Sequence, residues 1–588
     1  MKYNHLRGST RGIGDWKSTI LFSLLIILAF AAVGKAQAPS PAIFFSDLTS
    51  GPISGGESVV SNGTTYSGAY VTLYANNVGA TQGSSTITLN GANCLRVVSW
   101  GSPWLWYQKI SVQLGPSCSS GNLVVTTSAG SSNPVPFTVR SGNIYCVAVG
   151  GSDSSSGKFP SSCWSTMAHA AGTMVAGDTV YLENGVSNTT VSSFGAVVNI
   201  ETAGTAASPI AYVIYPGATA TIGSNSISSI EFGIRVPNIG VAPSYIVIAG
   251  LTLRGYGEAI DAPSTSGGGE NTNWWFIGND ISCNGASDYA CFHIGTSAFD
   301  YVYGNNVHDV GYGCSANSGN PTGAPCKFHG IYATTNTNHV WEGWNIVNNN
   351  PAGNTNAGCQ GIQFYSTGGS NQFDLHIHDN LIENVVCTGI AFSTVEPDLG
   401  TVEAYNNVFI HVGTGPDPSG SLGNYVCIAD QGSATAGSFV QIYNNSMYDC
   451  GARGQNSGAY NLTIASALNN NIFYATNSGE AYFSNTTCSL TSGADNDWFG
   501  NGAAPCTSQI TGSVNVDPKF VSTALGSRDL HLQSSSPMIG TGTMISGLTF
   551  DHDGLLRPNP PAIGGYEFSS APESQKPNPP TITSITVQ

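Results

Sequence analysis

The sequence predicts an all-β protein whose second half is a parallel β-solenoid. Short stretches of alternating apolar and polar residues, which are typical of strands, recur along the chain. Each stretch ends at an asparagine or at a residue in its place, at intervals of 25 to 39 residues. Self-similarity at such a period indicates a repeat protein. The recurring positions are Leu251, Asn279, Asn305, Trp344, Asn380, Asn407, Asn445 and Asn470.

The recurring asparagine also indicates how the coils would stack. An asparagine tolerates the left-handed backbone conformation of a tight turn. Its side-chain amide both donates and accepts hydrogen bonds, so stacked copies could bond along the solenoid axis. We therefore expect each asparagine to lie at a left-handed turn and to bond its copy in the next coil.

Two segments precede the solenoid. Residues 1–38 have the pattern of a secretion signal: a basic stretch, an apolar stretch and an Ala-Gln-Ala cleavage sequence. A retained membrane anchor is the alternative. Residues 39–140 alternate short strand patterns with turn residues, which predicts an immunoglobulin-like β-sandwich. This segment resembles the IPT/TIG family in Gly51-Pro, Tyr70-Val-Thr-Leu, Val97-Val-Ser-Trp100 and Pro136-Phe-Thr-Val139. The resemblance implies a module that mediates contacts or spaces other domains.

Cysteine usage indicates an oxidising compartment. All fourteen cysteines lie beyond residue 38, and an even number in an exported chain indicates disulfides. We expect sequence neighbours to pair, although Cys283 and Cys291 could each find a partner on an adjacent coil. The expected pairs are Cys94–Cys118, Cys146–Cys163, Cys283–Cys291, Cys314–Cys326, Cys359–Cys387, Cys427–Cys450 and Cys488–Cys506.

The charge balance restricts the partners. The chain has 17 basic and 34 acidic residues, and removal of residues 1–38 leaves 12 against 33. Because phosphate binding needs lysine and arginine, this balance argues against nucleic acid as a partner. It also weakens, without excluding, a polyanionic glycan. No stretch after residue 38 is apolar enough to span a bilayer, so we expect no stable membrane insertion after signal cleavage.

Motifs at both ends place the solenoid at residues 141–568. Near its start, strands at 144–147 and 177–182 flank a helix that Ser162 or Ser165 would cap and that runs to about residue 171. The C-terminal motifs are Asp517-Pro-Lys-Phe, Leu530-His-Leu, Ser536-Pro-Met-Ile-Gly540, Asp551-His-Asp-Gly-Leu-Leu-Arg-Pro558 and Ile563-Gly-Gly-Tyr-Glu567. Together they resemble the pectin-lyase-like superfamily, which implies a secreted right-handed parallel β-helix. The chain lacks the Asn-Thr-Asp pattern of polygalacturonases and an Arg-rich pectate-lyase site. Residues 569–588 form a Pro-rich tail.

Long loops at one phase of the coil predict a groove. The segments 311–327, 350–359 and 413–424 each follow a recurring position. Loops that leave successive coils at the same phase would stack into a wall beside one sheet. A groove along a rod suits a chain-like ligand.

A first candidate surface lies on the strands before the recurring positions. With Val302, Trp341, Ile377, Ala404 and Ile442 taken as inward-facing, the alternate side chains point outward. Aromatic faces can stack on sugar rings while polar tips bond hydroxyl groups. The alternative is an ordinary solvated sheet face. The predicted substrate-binding residues are Tyr303, Glu342, His376, His378, Glu403 and Tyr405.

A second candidate surface lies on the strands that follow the loops. If Ile260, Phe292, Ile331 and Ile362 point inward, then Asp261, His293, Tyr332 and Gln363 form an outward row. A histidine near carboxylates can transfer protons, and a cation can stabilise a developing anion. The alternative for His329 is a structural role at a corner. The predicted catalytic residues are His329, Lys327, Tyr332, Asp261 and His293.

Two chemistries fit these residues. Glycoside hydrolysis needs two carboxylic acids, for which Glu342 with Glu403 or Asp261 with Asp288 are candidates. β-Elimination of a uronate needs a base, a charge neutraliser and a proton donor, and Ca²⁺ could replace missing cations. Asp551-His-Asp-Gly could also bind Ca²⁺, although a turn that bonds its own backbone is the preferred interpretation.

The sequence therefore predicts an exported carbohydrate-active protein. We expect it to bind and cleave an extracellular polysaccharide on a loop-walled face of the β-helix. Fold-level resemblance is a weak basis for function, so two other hypotheses stay open. One is a non-catalytic adhesion or display protein at the cell surface, and the other is a sugar epimerase.

Overall fold

The structure, a computed structural model, consists almost entirely of β-strands. It describes residues 38–262, 271–285, 290–311, 329–348, 360–366, 372–413, 426–432, 437–451, 457–476, 480–484 and 488–570. The predicted signal at 1–38, except Ala38, lies outside these residues, as does the end of the Pro-rich tail. In the described part, no helix has the length and apolar character that a membrane span requires.

The N-terminal segment forms two packed sheets, as the sequence predicts, and they are antiparallel except where Val135–Val139 pairs in parallel with Ser50–Gly51. One contains Ala42–Ser46, Tyr70–Asn76, Tyr107–Leu114 and Leu95–Trp104 in spatial order. The other contains Gly130–Ser131, Gly121–Thr127, Val135–Val139 and Ser50–Gly51, with Thr86–Leu89 paired to the second of these strands. Val59–Ser61 and Thr64–Tyr66 form a separate hairpin. Side chains from both sheets, such as Leu73 and Leu123, share one buried core. The IPT/TIG assignment of this sandwich stays a prediction.

The described residues from Ile144 to Thr511 form a right-handed parallel β-helix with three long sheets. Sheet 1 contains Ile144–Val147, Thr179–Leu182, Ile210–Ile214, Ile246–Ala249, Trp274–Ile277, Ser297–Tyr303, Asn338–Gly343, Leu375–His378, Val402–Tyr405, Val440–Tyr443, Ser466–Asn469, Thr491–Ala494 and Ile510–Thr511, and Asn271–Thr272 pairs beside it. Sheet 2 contains Ser187–Asn188, Thr221–Gly223, Thr252–Gly255, Asp280–Cys283, Asn306–Val310, Ile346–Asn348, Leu381–Val385, Val408–Val412, Ser446–Cys450, Ile472–Tyr474 and Asp497–Phe499. Sheet 3 contains Ala196–Asn199, Phe232–Arg235, Glu258–Asp261, Ala290–Gly295, His329–Thr334, Ile362–Tyr365, Ile390–Val395, Ile428–Gly432, Ser457–Leu462 and Glu480–Phe483.

A ladder of buried asparagines joins the coils at the turn from sheet 1 to sheet 2. Its members are Asn279, Asn305, Asn345, Asn380, Asn407, Asn445, Asn471 and Asn496. The Nδ2 group of Asn345 donates to Oδ1 of Asn380 at 2.9 Å and to the carbonyl of Val302 at 2.9 Å. Oδ1 of Asn380 also accepts from the backbone N–H of Asn345 at 3.1 Å. Each interior amide therefore has partners for both of its ends, as the sequence predicts.

Three details of the ladder differ from the sequence prediction. Asn345 and Asn471, not Trp344 and Asn470, occupy the ladder positions. The left-handed residue is the one before each ladder asparagine, as in Trp344 with φ of 56° and Asn470 with φ of 54°. The reason is chemical, because an apolar side chain cannot supply the amide that the neighbouring coils need. The left-handed turn then falls on whatever residue precedes the amide, including glycine at 278 and 304.

A short helix packs at the start of the solenoid. It spans Met167–Thr173, and its buried face is Met167, Ala170 and Ala171. Its cap is Thr166, whose side chain accepts from the backbone N–H of His169, so the predicted caps at Ser162 and Ser165 are wrong. The backbone N–H of Ser165 instead donates to Asp153.

The sandwich packs on the outward face of sheet 1. Its Phe45 ring lies 5.5 Å from the ring of Tyr303 and 5.4 Å from that of Trp344. The Tyr107 hydroxyl donates to the carbonyl of Trp344 at 3.1 Å. A Cβ atom on Gly304 would lie 2.4 Å from the Phe45 ring, so only glycine permits this approach.

The C-terminal segment packs on the outward face of sheet 2. Its apolar side chains form one buried cluster with sheet 2 residues Val408, Ile410, Tyr448 and Ile472. The members contributed by this segment are Phe520, Leu530, Leu532, Met538, Ala562, Ile563 and Tyr566. The segment contains the hairpin Phe520–Ser522 with Asp529–Leu532. It also reaches the sandwich, because His552 stacks on Trp106 at 4.6 Å.

The Asp551 turn bonds its own backbone, which agrees with the preferred interpretation of that motif. Oδ1 of Asp551 accepts from the backbone N–H groups of Asp553 at 3.0 Å and Leu555 at 2.7 Å. Oδ2 accepts from the backbone N–H of Glu567 at 2.7 Å. Oδ1 is therefore engaged by the turn itself, and Oδ2 by the backbone of Glu567.

Five of the seven expected disulfides are present among the described residues. They are Cys94–Cys118, Cys146–Cys163, Cys283–Cys291, Cys427–Cys450 and Cys488–Cys506. Cys283 and Cys291 thus bond each other rather than partners on other coils. Cys387 is disulfide-bonded. Cys314, Cys326 and Cys359 lie outside the described residues.

We predict that Asn380→Ala destabilises the fold by about 3 kcal/mol or more. The change removes the buried hydrogen bonds that Asn380 accepts from Asn345 and those that it donates to Asn407 and the carbonyl of Glu342, and a buried group left unpaired costs about 1–3 kcal/mol. Urea midpoints measured by circular dichroism check this. Asn338→Ala, which removes hydrogen bonds to Asn336 and His339 outside the core, is the control and should cost less than about 1 kcal/mol. Equal effects of both changes would refute a structural role for the ladder.

Candidate functional site

The predicted row on sheet 3 is present in the structure. Ile260, Phe292, Ile331 and Ile362 pair in register and are fully buried inside the solenoid. The alternate residues therefore align on the outward face, in the order Asp261, His293, Tyr332 and Gln363. Arg235 precedes them in the coil before. The alignment is that predicted from the sequence, while the catalytic roles of these residues stay predictions.

His293 is held between two carboxylates and a hydroxyl group. Its Nδ1 lies 3.3 Å from Oδ1 of Asp261 and 3.7 Å from Oε2 of Glu258. Its Nε2 lies 3.0 Å from the hydroxyl of Thr334, and that hydroxyl donates onward to the carbonyl of Ile294 at 3.4 Å. Because Thr334 donates elsewhere, it accepts from Nε2, so both ring nitrogens of His293 act as donors.

The surroundings favour the charged form of His293. Burial lowers the pKa of His293, but the charges of Glu258 and Asp261 and their hydrogen bonds outweigh burial and raise it to about 10. His293 is therefore an imidazolium at neutral pH. The guanidinium of Arg235, with Nε 2.9 Å from Oδ2 of Asp261, balances the second carboxylate.

Tyr332 lies between two histidines. Its ring stacks on His293 at 5.7 Å and meets the edge of the His329 ring at 4.9 Å. His329 is buried, and its Nδ1 accepts from the backbone N–H of Gln360 at 3.3 Å. The proton of a neutral His329 is then on Nε2. His329 thus begins the strand His329–Thr334 and also contacts the Tyr332 ring.

Glu258, Asp261 and His293 could present ligands to a cation. One ligand atom from each lies within 4.8 Å of the others. Two features oppose such a site: Arg235 already pairs with Asp261, and His293 carries a proton on the nitrogen that would bind the metal. The residues fit a proton-bearing site better than a Ca²⁺ site, since calcium prefers oxygen ligands.

Two predicted participants and the predicted wall fall outside the described residues. Lys327 and Asp288 are among them, and so are residues 312–328, 349–359 and 414–425 of the long loops. The described strand ends place all three loops at the connection from sheet 2 to sheet 3.

Glu342 is not a surface residue, and its predicted role in substrate binding is wrong. In the pairing of sheet 1, Glu342 aligns with Val302 and Ile377, which point into the solenoid. It is fully buried, and neither carboxylate oxygen has a hydrogen-bond partner among the described residues. Trp341 points outward, and Gly343 takes the place expected for Glu342 in the outward row. Because side chains alternate, an error of one residue at Trp344 reversed every side chain of this strand.

The same correction excludes the first proposed pair of catalytic acids. Glu403 points outward on sheet 1, whereas Glu342 points inward. Two acids on opposite faces of one sheet cannot flank the same glycosidic bond.

The outward aromatic rings of sheet 1 stack on each other. Tyr301 and Trp341 lie 5.1 Å apart with 12° between their planes, and Trp341 and His376 lie 5.1 Å apart with 8°. His378 and Tyr405 lie 5.0 Å apart with 8°. Mutual stacking occupies the ring faces that a sugar would need.

Other contacts also engage the predicted sugar-binding residues of sheet 1. Tyr303 lies beneath Phe45 of the sandwich, and His378 is buried. Nδ1 of His376 lies 2.5 Å from Oε1 of Glu403, and Oε2 of Glu403 accepts from the Tyr443 hydroxyl at 2.7 Å. The outward face of sheet 1 is better explained as part of the structure than as a sugar-binding surface.

Two residues of the sheet 3 site were missed from the sequence. Arg235 occupies the same outward position one coil before Asp261, and the alternation in Phe232-Gly-Ile-Arg could have identified it. Thr334 was missed because its role depends on a contact with His293 across the strands. No periodic signal marks such a contact.

No protein-family model matches the sequence, and no curated protein matches it. Solved structures with a similar course of the chain include the pectate lyase Pel9A, with 14% identity over 72% of this chain and 96% of that chain and a TM-score of 0.45. XylC in complex with xylose has 12% identity over 72% and 98%, with a TM-score of 0.43. A family 28 exopolygalacturonase from Yersinia enterocolitica has 10% identity over 81% and 96%, with a TM-score of 0.34. These likenesses concern the fold.

We predict that Glu342→Gln makes the stability of the protein less dependent on pH. Burial, and next the charge of Asp300, raise the pKa of Glu342 to about 8 from its usual 4.5. The folded state therefore disfavours the ionised carboxyl. Below pH 4.5 this carboxyl is protonated in both states and does not lower the free energy of unfolding. Between pH 4.5 and 8 it lowers the free energy of unfolding of the wild type by up to about 1.4 kcal/mol per pH unit.

Thermal unfolding of both proteins from pH 4 to 9 measures the difference. The variant should gain on the wild type as the pH rises and should bind glycans as the wild type does. Exposed Glu201→Gln is the control and should follow the wild type. Parallel curves for Glu342→Gln and wild type would contradict the inward placement.

Proposed function

We propose that this chain is an exported polysaccharide lyase that acts on an acidic glycan at the outward face of sheet 3. One observation carries the proposal: Tyr332 lies between charged His293 and buried His329 on this face. A phenol next to a fixed cation is a proton-transfer group beside a charge neutraliser. Elimination from a uronate needs both.

The packing of the molecule supports this choice of face. The sandwich covers much of the outward face of sheet 1, and the C-terminal segment covers part of sheet 2. Among the described residues, the hydrogen bonds and ion pairs of Arg235, Asp261 and His293 in the outward row of sheet 3 are made within the β-helix and not with the sandwich or the C-terminal segment. We therefore place the ligand on this face.

The roles follow from the surroundings of each group. His293 would neutralise the substrate carboxylate as negative charge develops on the neighbouring carbon. The phenolate form of Tyr332 would take the proton from that carbon. The carbon–oxygen bond to the next sugar breaks, a carbon–carbon double bond forms, and the departing oxygen takes the proton back from Tyr332. His329 would hold the Tyr332 ring in place through their edge contact.

Hydrolysis finds less support at this site. Glu258 and Asp261 are two carboxylates at this site, with one oxygen of each within 4.8 Å of the other. Both are buried beneath His293, and Asp261 is also paired with Arg235. Neither is placed as a free acid or nucleophile.

Export is part of the proposal. The disulfides support an oxidising compartment. With the predicted signal at residues 1–38, they favour a secreted or cell-surface location. The net negative charge argues against nucleic acid as the ligand.

We predict that the protein without residues 1–38 releases unsaturated sugars from one or more acidic glycans in a panel of plant, algal and bacterial polysaccharides. Tyr332→Phe should lower kcat by about 100-fold or more, because it removes the proton-transfer group. His293→Gln should lower kcat similarly, because the neutraliser is lost. Absorbance of the unsaturated product and a reducing-sugar assay give both rates.

Glu403→Gln is the matched control, since Glu403 is a half-buried carboxylate on the outward face of sheet 1, where it contacts His376. It should retain kcat within about twofold. New reducing ends without unsaturated sugar would mean hydrolysis. Binding without product would support a non-catalytic adhesion or display protein. Loss of activity in Glu403→Gln alone would move the site to sheet 1.

A further inference from the structure

The outward face of sheet 3 carries one exposed aromatic residue among its described strands. Tyr365 is 37% exposed at the end of Ile362–Tyr365. It belongs to the coil after Tyr332 and pairs with Thr334, the residue that holds His293. Tyr365 therefore lies beside the candidate catalytic centre, about one strand spacing of 4.8 Å away along the rod.

Among the described residues, no other ring lies against the faces of the Tyr365 ring. Its neighbours across the strands are Thr334 on one side and, by the alignment of Phe364 with Phe392, Ser393 on the other. Both are small hydroxyl residues. The stacked rings of sheet 1 lie about 5 Å from one another, as at Tyr405 and Tyr443, and so close off each other's faces. The strand neighbours of Tyr365 carry no rings, so they do not cover its ring faces in this way.

A hydroxyl group with unused bonding capacity lies next to this ring. Gln363, on the same strand and face, donates from Nε2 to the Ser393 hydroxyl at 3.3 Å. The amide oxygen of Gln363 is buried, so it is closed to a ligand. The Ser393 hydroxyl accepts from Gln363 but donates to no described group. One hydroxyl donor thus adjoins an exposed ring.

This combination matches the chemistry of a pyranose. The apolar face of a sugar ring stacks on an aromatic face, and its hydroxyl groups both donate and accept. None of the three side chains is charged, so the group recognised is an uncharged part of the sugar. We propose that Tyr365 and Ser393 form a sugar-binding subsite adjoining the candidate catalytic centre, with Gln363 orienting the Ser393 hydroxyl. It rests on the proposed function only for the statement that the same glycan chain occupies both.

Affinity electrophoresis tests the subsite without requiring turnover. The wild type and the variants Tyr365→Ala, Tyr365→Phe and Phe299→Ala are run in gels that contain each polysaccharide of the panel. Phe299 is the matched control because it is 41% exposed but lies on sheet 1. Thermal unfolding first establishes that all variants are folded.

The subsite predicts that Tyr365→Ala weakens binding about tenfold. Tyr365→Phe keeps the ring and should stay within about twofold of the wild type, as should Phe299→Ala. Equal retardation of Tyr365→Ala and wild type would overturn the proposal, and so would a wild type that no polysaccharide retards. For any glycan that is cleaved, Tyr365→Ala should raise KM more than it lowers kcat.

These outcomes separate the two proposals. If a glycan binds through Tyr365 but yields no product, the subsite stands and the elimination falls. If a glycan is cleaved and Tyr365→Ala leaves binding and KM unchanged, the elimination stands and the subsite falls.

Discussion

The register between successive coils is the constraint on which every other feature depends. Parallel strand pairing sets the spacing of the coils, and the buried asparagine ladder fixes which residue of one coil lies over which residue of the next. Each amide is isolated from water, so a coil displaced by one residue would leave its donors and acceptors unpaired. Because strand side chains alternate, the same displacement would exchange the core face and the outward face of all three sheets.

This constraint explains which parts of the site could be predicted. On sheet 3, Ile260, Phe292 and Ile331 each lie in an unambiguous apolar alternation, and the outward row follows from them. On sheet 1, the stretch around Trp344 offers a tryptophan and an asparagine for the same turn. Apolar patterning favoured the tryptophan, while the hydrogen-bonding demand of the ladder selected Asn345. The predicted fold was right despite that error, but the predicted outward orientation of Glu342 was wrong.

Long-range packing accounts for what the sequence could not reveal. Nothing in the local pattern of Phe45 or Tyr107 indicates that the Phe45 ring meets Tyr303, or that the Tyr107 hydroxyl bonds Trp344 at a separation of 237 residues. The aromatic row of sheet 1 has the composition of a sugar-binding surface, yet these contacts and mutual ring stacking make it part of the structure. Composition identifies a candidate surface, and only the arrangement of its neighbours decides whether a ligand can reach it.

The net negative charge of the chain does not by itself exclude an acidic substrate. Most of that charge lies far from the site, whereas the positive charge of His293 lies in it. At about 0.1 M salt, charges more than about 10 Å apart are largely screened, so much of the net charge of −17 acts weakly on a bound sugar. His293 would act at contact distance. Its charge exists because Glu258 and Asp261 lie beneath it and outweigh the effect of burial. The carboxylates that make this face look repulsive to an anion are therefore the groups that keep a cation there, and Arg235 offsets the charge they would otherwise leave.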